Sequence, residues 1–377
     1  MIPFNRPHLT GREFLYIQEA VAAGQLAGNG RFTERCHRWL ERELSAPRAL
    51  LTHSATAALE MAALLLDVRP GDEVIMPSFT FVSTANAFVL RGATPVFVDV
   101  RPDTLNIDER LIEAAIGSRT RAIVVVHYAG VGCDMEAILA VARRHNLFVI
   151  EDAAQGLLSR YKGRPLGSMG HLAAISFHET KNVISGEGGA LIVNHAAFEE
   201  RAEILWQKGT DRSRFARGEV DRYRWMDVGS SFLPGELVAA FLYAQLEQAH
   251  EITASRLALW RHYEQASAFL ETLGIRRPII PGLCEHNAHM FYLLLPQRMN
   301  TREALRMLNE RGVNAVSHYV PLHSAPAGVR FGRVSGPMTV TDACAGQLVR
   351  LPLWVGMTPA DVERAIETVV SVAAVAV

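Results

Sequence analysis

The sequence predicts an α/β fold built around a largely parallel β-sheet. Strand-like and helix-like segments alternate at short spacing along the chain, which is typical of βα units. The strand-like segments are continuous runs of valine, isoleucine and alanine, and such runs indicate strands that are covered on both faces. The chain has 377 residues, of which 49% are hydrophobic and 20% charged, enough for a large buried core and two domains.

The first half of the chain contains most of the predicted sheet. An apolar run at 48–51 gives way at Thr52-His53-Ser54 to a helix-favouring stretch. Pro70-Gly71-Asp72 forms a turn, and Pro77 ends the strand that follows it. In chain order, we expect strands at 48–51, 73–76, 95–100, 122–127, 148–150 and 173–177, and helices at 55–66, 83–90 and 135–145.

The last third of the chain predicts a second, smaller α/β domain. Pro234-Gly235-Glu236 opens a long helical region that continues past Arg261. Beyond it we expect a strand at 290–295, a helix at 301–311, a loop at 318–323 and a terminal helix that begins at Pro359 and runs towards Val377. We therefore predict a large domain at 1–245 and a small C-terminal domain at 246–377.

Composition and charge argue against several classes of function. The 38 lysine and arginine residues balance the 39 acidic residues, so charge gives no reason to expect a nucleic-acid partner. The N-terminus has no signal-peptide pattern, and the longest apolar run, at 369–377, is too short to span a bilayer. The four cysteines lie far apart without a CxxC pair, so we expect neither a disulfide framework nor a metal site. We expect a soluble, cytoplasmic protein.

Three loops at the predicted carboxyl ends of strands carry residues that suit a ligand. The segment 52–56 begins a helix, whose free N–H groups and dipole suit a phosphate. Asp152 follows the strand at 148–150, and Lys181 follows the strand at 173–177. Each feature alone has an ordinary explanation, as a helix cap, a capping acid or an exposed lysine. Ligands of open parallel sheets, however, collect beyond the carboxyl ends of the strands, where these loops meet.

A phosphate seat, a carboxylate and a lysine in three sheet-end loops match the needs of pyridoxal 5′-phosphate (PLP). The phosphate needs N–H donors, the pyridine nitrogen needs an acid that keeps it protonated, and the aldehyde needs a lysine amine. Lys181 must be neutral to react, and we expect burial to lower its pKa. The chain has only two other lysines, Lys162 in a turn-like stretch and Lys208 without an adjoining strand, so Lys181 is the candidate nucleophile.

Other nucleotide-dependent enzymes carry motifs that this sequence lacks. Gly130-Val131-Gly132 has no third glycine for GxGxxG, and no Gly-Lys pair exists for a phosphate-binding loop. These absences argue against a nicotinamide-dependent oxidoreductase and against a kinase. A non-catalytic regulator that binds PLP stays open as an alternative, although a DNA-binding regulator would need a further helical domain that this length does not accommodate.

Four segments are similar to a known family of sugar aminotransferases. They are 77–87 (PSFTFVSTANA), 151–155 (EDAAQ), 176–182 (SFHETKN) and 186–189 (GEGG). With these segments the chain resembles the DegT/DnrJ/EryC1/StrS family, whose members are PLP enzymes of fold type I that act on nucleotide-linked ketosugars. The resemblance extends from Ile2 to Leu353, essentially the whole chain, and implies a mostly parallel sheet of seven-stranded type between helices.

The resemblance also implies the residues that surround the cofactor. Lys181 attaches to the aldehyde and Asp152 pairs with the pyridine nitrogen. Gln155 lies near the ring hydroxyl, Phe81 stacks on the ring, and the Ala55 and Thr56 amides with the Ser176 hydroxyl hold the phosphate. Many relatives have Gly-x-Asn-x-Arg in a segment that reaches the neighbouring subunit's cofactor. Here that segment reads GSSFL at 229–233, with Ser231 as the remaining polar contact, and it implies a homodimer with shared active sites.

The resemblance further implies the substrates. Relatives that aminate C3 tend to carry Tyr where His178 stands and Asp where Glu187 stands, so amination at C4 is favoured. Glutamate is then the donor and dTDP-4-keto-6-deoxy-D-glucose the acceptor, giving dTDP-4-amino-4,6-dideoxy-D-galactose as in members that serve enterobacterial common antigen synthesis. His318 and His323 are expected to border the sugar, and the basic segment 208–224 is a candidate contact for the diphosphate. A C3-aminating member is the alternative, whereas Lys181 opposes a dehydratase member, in which histidine replaces the lysine.

Overall fold

A computed structural model of the chain describes residues 1–375. Its helices are α1 (Glu13–Ala22), α2 (Arg31–Leu44), α3 (Ala55–Leu65), α4 (Val82–Val89), α5 (Glu109–Ala115), α6 (Met135–Arg144), α7 (Glu199–Trp206), α8 (Arg212–Ala216), α9 (Glu236–Glu247), α10 (Ala249–Ala266), α11 (Thr301–Glu310), α12 (Pro326–Phe331), α13 (Thr339–Gln347) and α14 (Pro359–Ala373). Its strands are β1 (Arg48–Thr52), β2 (Glu73–Pro77), β3 (Thr94–Val98), β4 (Thr120–Val126), β5 (Phe148–Asp152), β6 (Arg160–Tyr161), β7 (Arg164–Pro165), β8 (Leu172–Ser176), β9 (Gly189–Val193), β10 (Cys284–Glu285), β11 (Phe291–Leu294), β12 (Arg333–Val334) and β13 (Leu348–Leu351).

The central sheet has eight strands in the order β1-β9-β8-β5-β4-β2-β3-β12. Only β9 runs antiparallel to its neighbours, β1 and β8, and the other pairings are parallel. Seven strands come from the first 193 residues, and the two-residue β12 from the C-terminal part extends one edge. The prediction of an α/β fold with a mostly parallel sheet is confirmed.

The strands are apolar on both faces because helices cover both sides of the sheet. In β4, Ala122 and Val124 belong to one buried apolar cluster, whereas Ile123 and Val125 belong to another. Successive side chains of a strand point to opposite faces, so these two clusters lie on the two sides of the sheet. The continuous apolar runs of the sequence are therefore strands that are covered on both faces, as predicted.

The helical region after Pro234 is two helices rather than one. The backbone at Gln248 leaves helical geometry, with φ −113° and ψ 17°, so that α9 ends at Glu247 and α10 begins at Ala249. The terminal helix begins at Pro359 as predicted, and a capping box between Thr358 and Asp361 fixes its start. The last two residues of the predicted small domain, 376 and 377, lie outside the described residues.

The C-terminal part has an apolar core of its own. Trp260 and Tyr263 of α10, Phe291 of β11 and Val362 of α14 pack in one buried cluster. Ile2 joins that cluster, and its N–H donates to the Gly312 carbonyl at 2.8 Å, so the first residues of the chain lie against this part. The division near residue 245 stays a prediction. Of the helices within 1–375, none combines the length and the apolar character that a membrane crossing requires.

Candidate active site

A cavity of about 500 Å³ opens at the carboxyl ends of the parallel strands. This volume lies in the range of about 300–1,000 Å³ that is common for sites of small molecules and cofactors. The cavity lies where loops that follow β1, β2, β5 and β8 meet residues of the C-terminal part. It is lined by Ser54, Ala55, Thr56, Leu59, Thr80, Phe81, Ser83, Val126, Asp152, Ala154, Gln155, Ser176, His178, Thr180, Lys181, Glu187, His289, His318, Tyr319 and Arg350.

The N-terminus of α3 forms one wall of the cavity. Ser54 caps this helix, since its hydroxyl accepts from the Ala57 N–H at 3.2 Å, and the Ala55 and Thr56 amides lie in the first turn, where the helix offers no internal acceptor. A side chain at Gly189 would come within 2.3 Å of the Ser54 backbone, so only glycine lets β9 pass beneath this turn. The turn therefore supplies free N–H donors and the positive end of a helix dipole.

Asp152 ends β5 at the floor of the cavity, where it is 6% exposed. Its Oδ2 accepts from the Thr84 hydroxyl at 2.7 Å, and its Oδ1 accepts from the Ala154 N–H at 3.2 Å. The Thr84 hydroxyl is in turn 2.8 Å from that of Thr80. Burial raises the pKa of Asp152, although the two hydrogen bonds and the charge of Lys181 act in the opposite direction. A cationic group that enters the cavity would stabilise the ionised carboxylate.

Lys181 lines the cavity from the loop after β8, with its amine free of any hydrogen bond or ion pair within 1–375. Burial lowers its pKa from 10.5 to about 8, with a further lowering by the charge of Arg350, while Asp152 acts in the opposite direction. A fraction of the amine is therefore neutral near neutral pH. By contrast, the Lys162 ammonium forms an ion pair with Glu136, and Lys208 is exposed, with neither residue in the cavity lining.

Two hydrogen bonds fix the side chain of Gln155, which lines the same cavity as Asp152. Its Oε1 accepts from the Ala129 N–H at 2.7 Å, and its Nε2 donates to the Tyr319 hydroxyl at 2.8 Å. Phe81 stands at the mouth of the cavity, where it is 57% exposed and its ring centroid lies 6.4 Å from that of Tyr319. Ser176 ends β8 beside the phosphate seat and also lines the cavity.

The three predicted substrate histidines lie in different surroundings. His178 lines the cavity, with its Nε2 3.7 Å from Glu187 Oε1. His318 lines it as well, and its Nδ1 lies 2.7 Å from the Tyr128 hydroxyl. His323 does not reach the lining, because its ring lies 2.8 Å from the Ser78 hydroxyl and 3.3 Å from Asp342.

Ser231 is exposed and lies outside the cavity lining of its own chain. Its carbonyl oxygen lies 2.9 Å from the Nε2 atom of His53, in the loop that precedes α3. The basic segment 208–224 is also largely exposed, and several of its arginines pair with nearby acids, as Arg217 does with Glu219 at 2.6 Å. In a single chain, neither feature contacts the cavity.

Several polar residues of the site, among them Thr84, His289, Tyr319 and Arg350, were not predicted from the sequence. Thr84 belongs to the segment 77–87 that resembles the family, but its hydrogen bond to Asp152 depends on how α4 packs. His289, Tyr319 and Arg350 come from the C-terminal part, more than 100 residues from Lys181 in the chain. The loop at 318–323 was an indication for Tyr319. Arg350 begins the segment RLPL at 350–353, where the family resemblance ends, but the sequence did not assign it to the cavity.

The donor set of the cavity fits PLP on three independent observations. The first turn of α3 offers amides to an anion, the Asp152 carboxylate is buried among hydroxyl and amide donors, and the Lys181 amine has no partner within the described residues. These are the groups that a phosphate, a protonated ring nitrogen and an aldehyde require. The chemistry that the cavity supports is therefore that of an amine carried on such a cofactor.

Comparison with known proteins agrees with this geometry. A model of the DegT/DnrJ/EryC1/StrS aminotransferase family matches residues 7–370. GDP-perosamine synthase from Caulobacter vibrioides is 33% identical over 362 residues, which cover 96% of this chain and 95% of that protein. The spore coat polysaccharide biosynthesis protein SpsC from Bacillus subtilis is 32% identical over 379 residues, covering 98% of this chain and 96% of SpsC.

Solved structures add the cofactor to this comparison. The PMP form of Spr1654 from Streptococcus pneumoniae has a TM-score of 0.92 at 25% identity and covers 100% of both chains. The PLP form of the same protein has a TM-score of 0.91 and covers 100% of this chain and 99% of that one. The fold is accordingly that of PLP-dependent aminotransferases of fold type I, and the cofactor is PLP.

Proposed function

The chain belongs to the DegT/DnrJ/EryC1/StrS aminotransferase family, and from this premise we propose that it moves an amino group from glutamate to the C4 ketone of a nucleotide-linked sugar. The observation that carries the proposal is the meeting of Lys181, Asp152 and the first turn of α3 in one cavity. When bound there, PLP supplies an aldehyde that can carry the amino group and a charged ring that accepts electron density.

Lys181 has two tasks in this proposal. Its neutral amine holds the cofactor before the donor arrives, and after its release the same amine takes up and returns a proton near the reacting carbon. Both tasks need a fraction of neutral amine, which the lowered pKa of about 8 provides. The absence of a hydrogen-bond partner for the amine within 1–375 leaves it free to move between these positions.

Asp152 and the α3 turn hold the cofactor at its two ends. The ionised Asp152 carboxylate keeps a proton on the ring nitrogen, and its hydrogen bonds from Thr84 and Ala154 fix the carboxylate in place. The Ala55 and Thr56 amides with the Ser176 hydroxyl bind the phosphate, and Phe81 covers the ring. Gln155, which its bonds to Ala129 and Tyr319 hold in place, orients the ring hydroxyl.

The acceptor is proposed from the groups at the mouth of the cavity. His178 and Glu187 lie side by side there. The family resemblance implies that histidine and glutamate at these two positions go with amination at C4 rather than C3. We take dTDP-4-keto-6-deoxy-D-glucose as the acceptor and dTDP-4-amino-4,6-dideoxy-D-galactose as the product. The product would serve a cell-surface polysaccharide such as enterobacterial common antigen. The name of the relative SpsC supports a polysaccharide role.

A GDP-linked sugar is the second candidate acceptor. The relative with 33% identity is a GDP-perosamine synthase, and its name places guanosine rather than thymidine on the nucleotide. The residues that line the cavity do not distinguish the two bases, so both nucleotides belong in the same assay.

We also infer a homodimer with shared active sites. Trp225 is 83% exposed, and Phe81 at the cavity mouth is 57% exposed, so large apolar side chains face solvent in a single chain. Ser231 and the basic segment 208–224 lie on the same exposed stretch as Trp225 and would approach the cavity of the second copy.

Product analysis by NMR tests the proposal. The protein is incubated with glutamate and either dTDP-4-keto-6-deoxy-D-glucose or the corresponding GDP-4-keto-6-deoxy sugar, and a 4-amino sugar is expected from one of them. The Lys181→Ala variant should lower turnover by at least about 10⁴-fold. A 3-amino product would support the C3 alternative. Bound cofactor without amine transfer to any ketosugar would indicate a non-catalytic protein.

A further inference from the structure

His289 contributes a buried imidazole to the cavity from the loop that precedes β11. The residue is 5% exposed, and the Arg256 guanidinium donates to the carbonyls of Ala288 at 3.1 Å and His289 at 2.8 Å. Ala288 has a φ of 51°, a left-handed conformation that is uncommon for alanine. Such a conformation persists only where the surroundings hold it, so this short segment is fixed in place.

Two asparagines determine which ring nitrogen of His289 carries the proton. The Nδ2 atom of Asn182 lies 2.7 Å from the Asn287 carbonyl oxygen, where only an amide nitrogen can donate. The Oδ1 atom of Asn182 therefore faces His289, whose Nδ1 lies 3.1 Å away and must donate. The Asn287 amide is also fixed, since it donates to the carbonyls of Gln155 at 2.8 Å and Leu157 at 2.9 Å. In the neutral ring, Nε2 is consequently a hydrogen-bond acceptor.

The imidazole of His289 is neutral because it is buried beside cationic groups. Burial lowers its pKa well below the ordinary value, and four neighbouring groups lower it further, namely Lys181, Arg350, Arg256 and His318. Within 1–375, its Nε2 atom has no hydrogen-bond partner. The cavity therefore contains a neutral acceptor of fixed orientation, and a ligand that donates a hydrogen bond to it would bind more tightly than one that does not.

The ligands of an aminotransferase differ in what they offer to such an acceptor. In the arrangement proposed above, the polar groups of the cofactor are bound by the α3 turn, Asp152 and Gln155. An amino-acid donor presents carboxylate oxygens, which only accept, and its amine is the group that is transferred. A ketosugar presents hydroxyl groups, which donate. Sugar hydroxyls are therefore the ligand groups that match Nε2 of His289.

We propose that Nε2 of His289 accepts a hydrogen bond from the sugar hydroxyl next to the reacting ketone, an inference that rests on the proposed aminotransferase function. His289 and Lys181 line the same cavity, and the charge of Lys181 acts on the His289 ring, so Nε2 lies near the carbon where the amine reacts. In a 4-keto-6-deoxy sugar, C3 bears a hydroxyl, whereas C5 bears the ring oxygen and a methyl group. The hydroxyl on C3 is therefore the donor, and His289 determines specificity for it.

A pair of acceptors that differ in this hydroxyl tests the assignment. The protein loaded with the amino form of the cofactor is mixed with dTDP-4-keto-6-deoxy-D-glucose or with its 3-deoxy counterpart, or with the GDP-linked pair if that nucleotide is the substrate. Stopped-flow absorbance of the cofactor gives the rate constant of each half-reaction. We expect the unaltered protein to favour the 3-hydroxy sugar by about tenfold to hundredfold, because the 3-deoxy sugar leaves Nε2 unpaired.

His289→Asn removes the acceptor but keeps the support around it. An asparagine amide reaches about as far as Nδ1, so it can still donate to Asn182, whereas nothing replaces Nε2. The preference should fall to within about threefold, through a slower reaction of the 3-hydroxy sugar alone. His289→Gln, whose amide oxygen reaches the place of Nε2, should restore part of the preference. The matched control is His145→Asn, at an exposed histidine after α6 outside the cavity lining, which should keep the full preference.

Two results would overturn the assignment: equal reaction of both sugars in the unaltered protein, or an equal slowing of both sugars in His289→Asn, which would indicate a structural role only. Calorimetry of the holoenzyme with the 6-deoxy-D-glucose and 3,6-dideoxy-D-glucose nucleotides, which lack the ketone, gives a readout without turnover. The 3-hydroxy compound should bind more tightly by about the same ratio, and His289→Asn should abolish the difference. If this difference is observed but no ketosugar is aminated, the proposed function fails and the contact of His289 with the hydroxyl stands.

Discussion

Two charged regions of the molecule use arginine in opposite ways. An open groove of about 1,060 Å³ lies between α2 and the segment 199–219. There Arg48 pairs with Glu41 and Glu203, and Arg217 pairs with Glu203 and Glu219. In the smaller cavity at the carboxyl ends of the strands, Arg350 and Lys181 form no ion pair within the described residues.

The comparison shows which charges are available to a ligand. Each groove arginine is already paired with one or two acids of its own chain, so a ligand would have to displace them. The cavity retains positive charge at a cost in free energy, and that cost is offset when an anion enters. The size of an opening is therefore a poorer guide to function here than the state of the charges that line it.

The largest expected effect comes from removing the charge of Asp152, the buried acid of the cavity. Asp152→Asn keeps the size of the side chain but cannot hold a proton on the ring nitrogen, so kcat should fall by about 10³-fold. Glu34→Gln removes an exposed acid of the groove on α2 and serves as the control, with kcat within twofold. Steady-state kinetics with saturating cofactor measures both, and an Asp152→Asn enzyme with more than a tenth of normal kcat would contradict the role.

The second effect concerns the pH dependence of PLP uptake, which depends on both Lys181 and Arg350. Only neutral Lys181 attaches the cofactor, so the rate at which the apo-protein takes up PLP should rise about tenfold per pH unit and level off above about pH 8. Because the charge of Arg350 lowers the pKa of Lys181, Arg350→Gln should move the break to higher pH. Stopped-flow absorbance records the profile, and an unchanged break in this variant would show that the two groups do not interact.

The smallest expected effect lies in the groove. Arg217 is 47% exposed, and exposed ion pairs contribute about 0–1 kcal/mol each. Arg217→Gln should therefore lower the melting temperature by no more than a few degrees, with KM for glutamate and the pH break unchanged. A large loss of glutamate affinity in this variant would mean that the groove rather than the cavity receives the donor.

Much of the sheet could be predicted from sequence because its strands are buried on both faces. The apolar runs that form β4 and β5 are typical of strands that are buried on both faces of a sheet. The residues that follow parallel strands must lie at one edge of that sheet. This reasoning placed Asp152, Lys181 and the α3 turn in one region. It did not find α2 or the antiparallel β9, since α2 is rich in charged residues and β9 is as apolar as the parallel strands of the sheet.

Tertiary packing decides what the sequence pattern leaves open. His318 and His323 lie five residues apart in one loop, yet only His318 lines the cavity, because Ser78 and Asp342 hold the His323 ring elsewhere. Arg350 follows Lys181 by 169 residues and reaches the same cavity only when β13 pairs with β11. Such contacts depend on how the C-terminal part docks, and local periodicity does not encode that.

The covalent bond between the protein and its cofactor can be located directly. Borohydride reduction of the holoenzyme fixes the pyridoxyl group on the amine that holds it, and peptide mass spectrometry then identifies the modified residue. The chain has three lysines, so the result is unambiguous. We predict the group on Lys181 alone; its appearance on Lys162 or Lys208, or on no lysine while PLP is bound, would contradict the account.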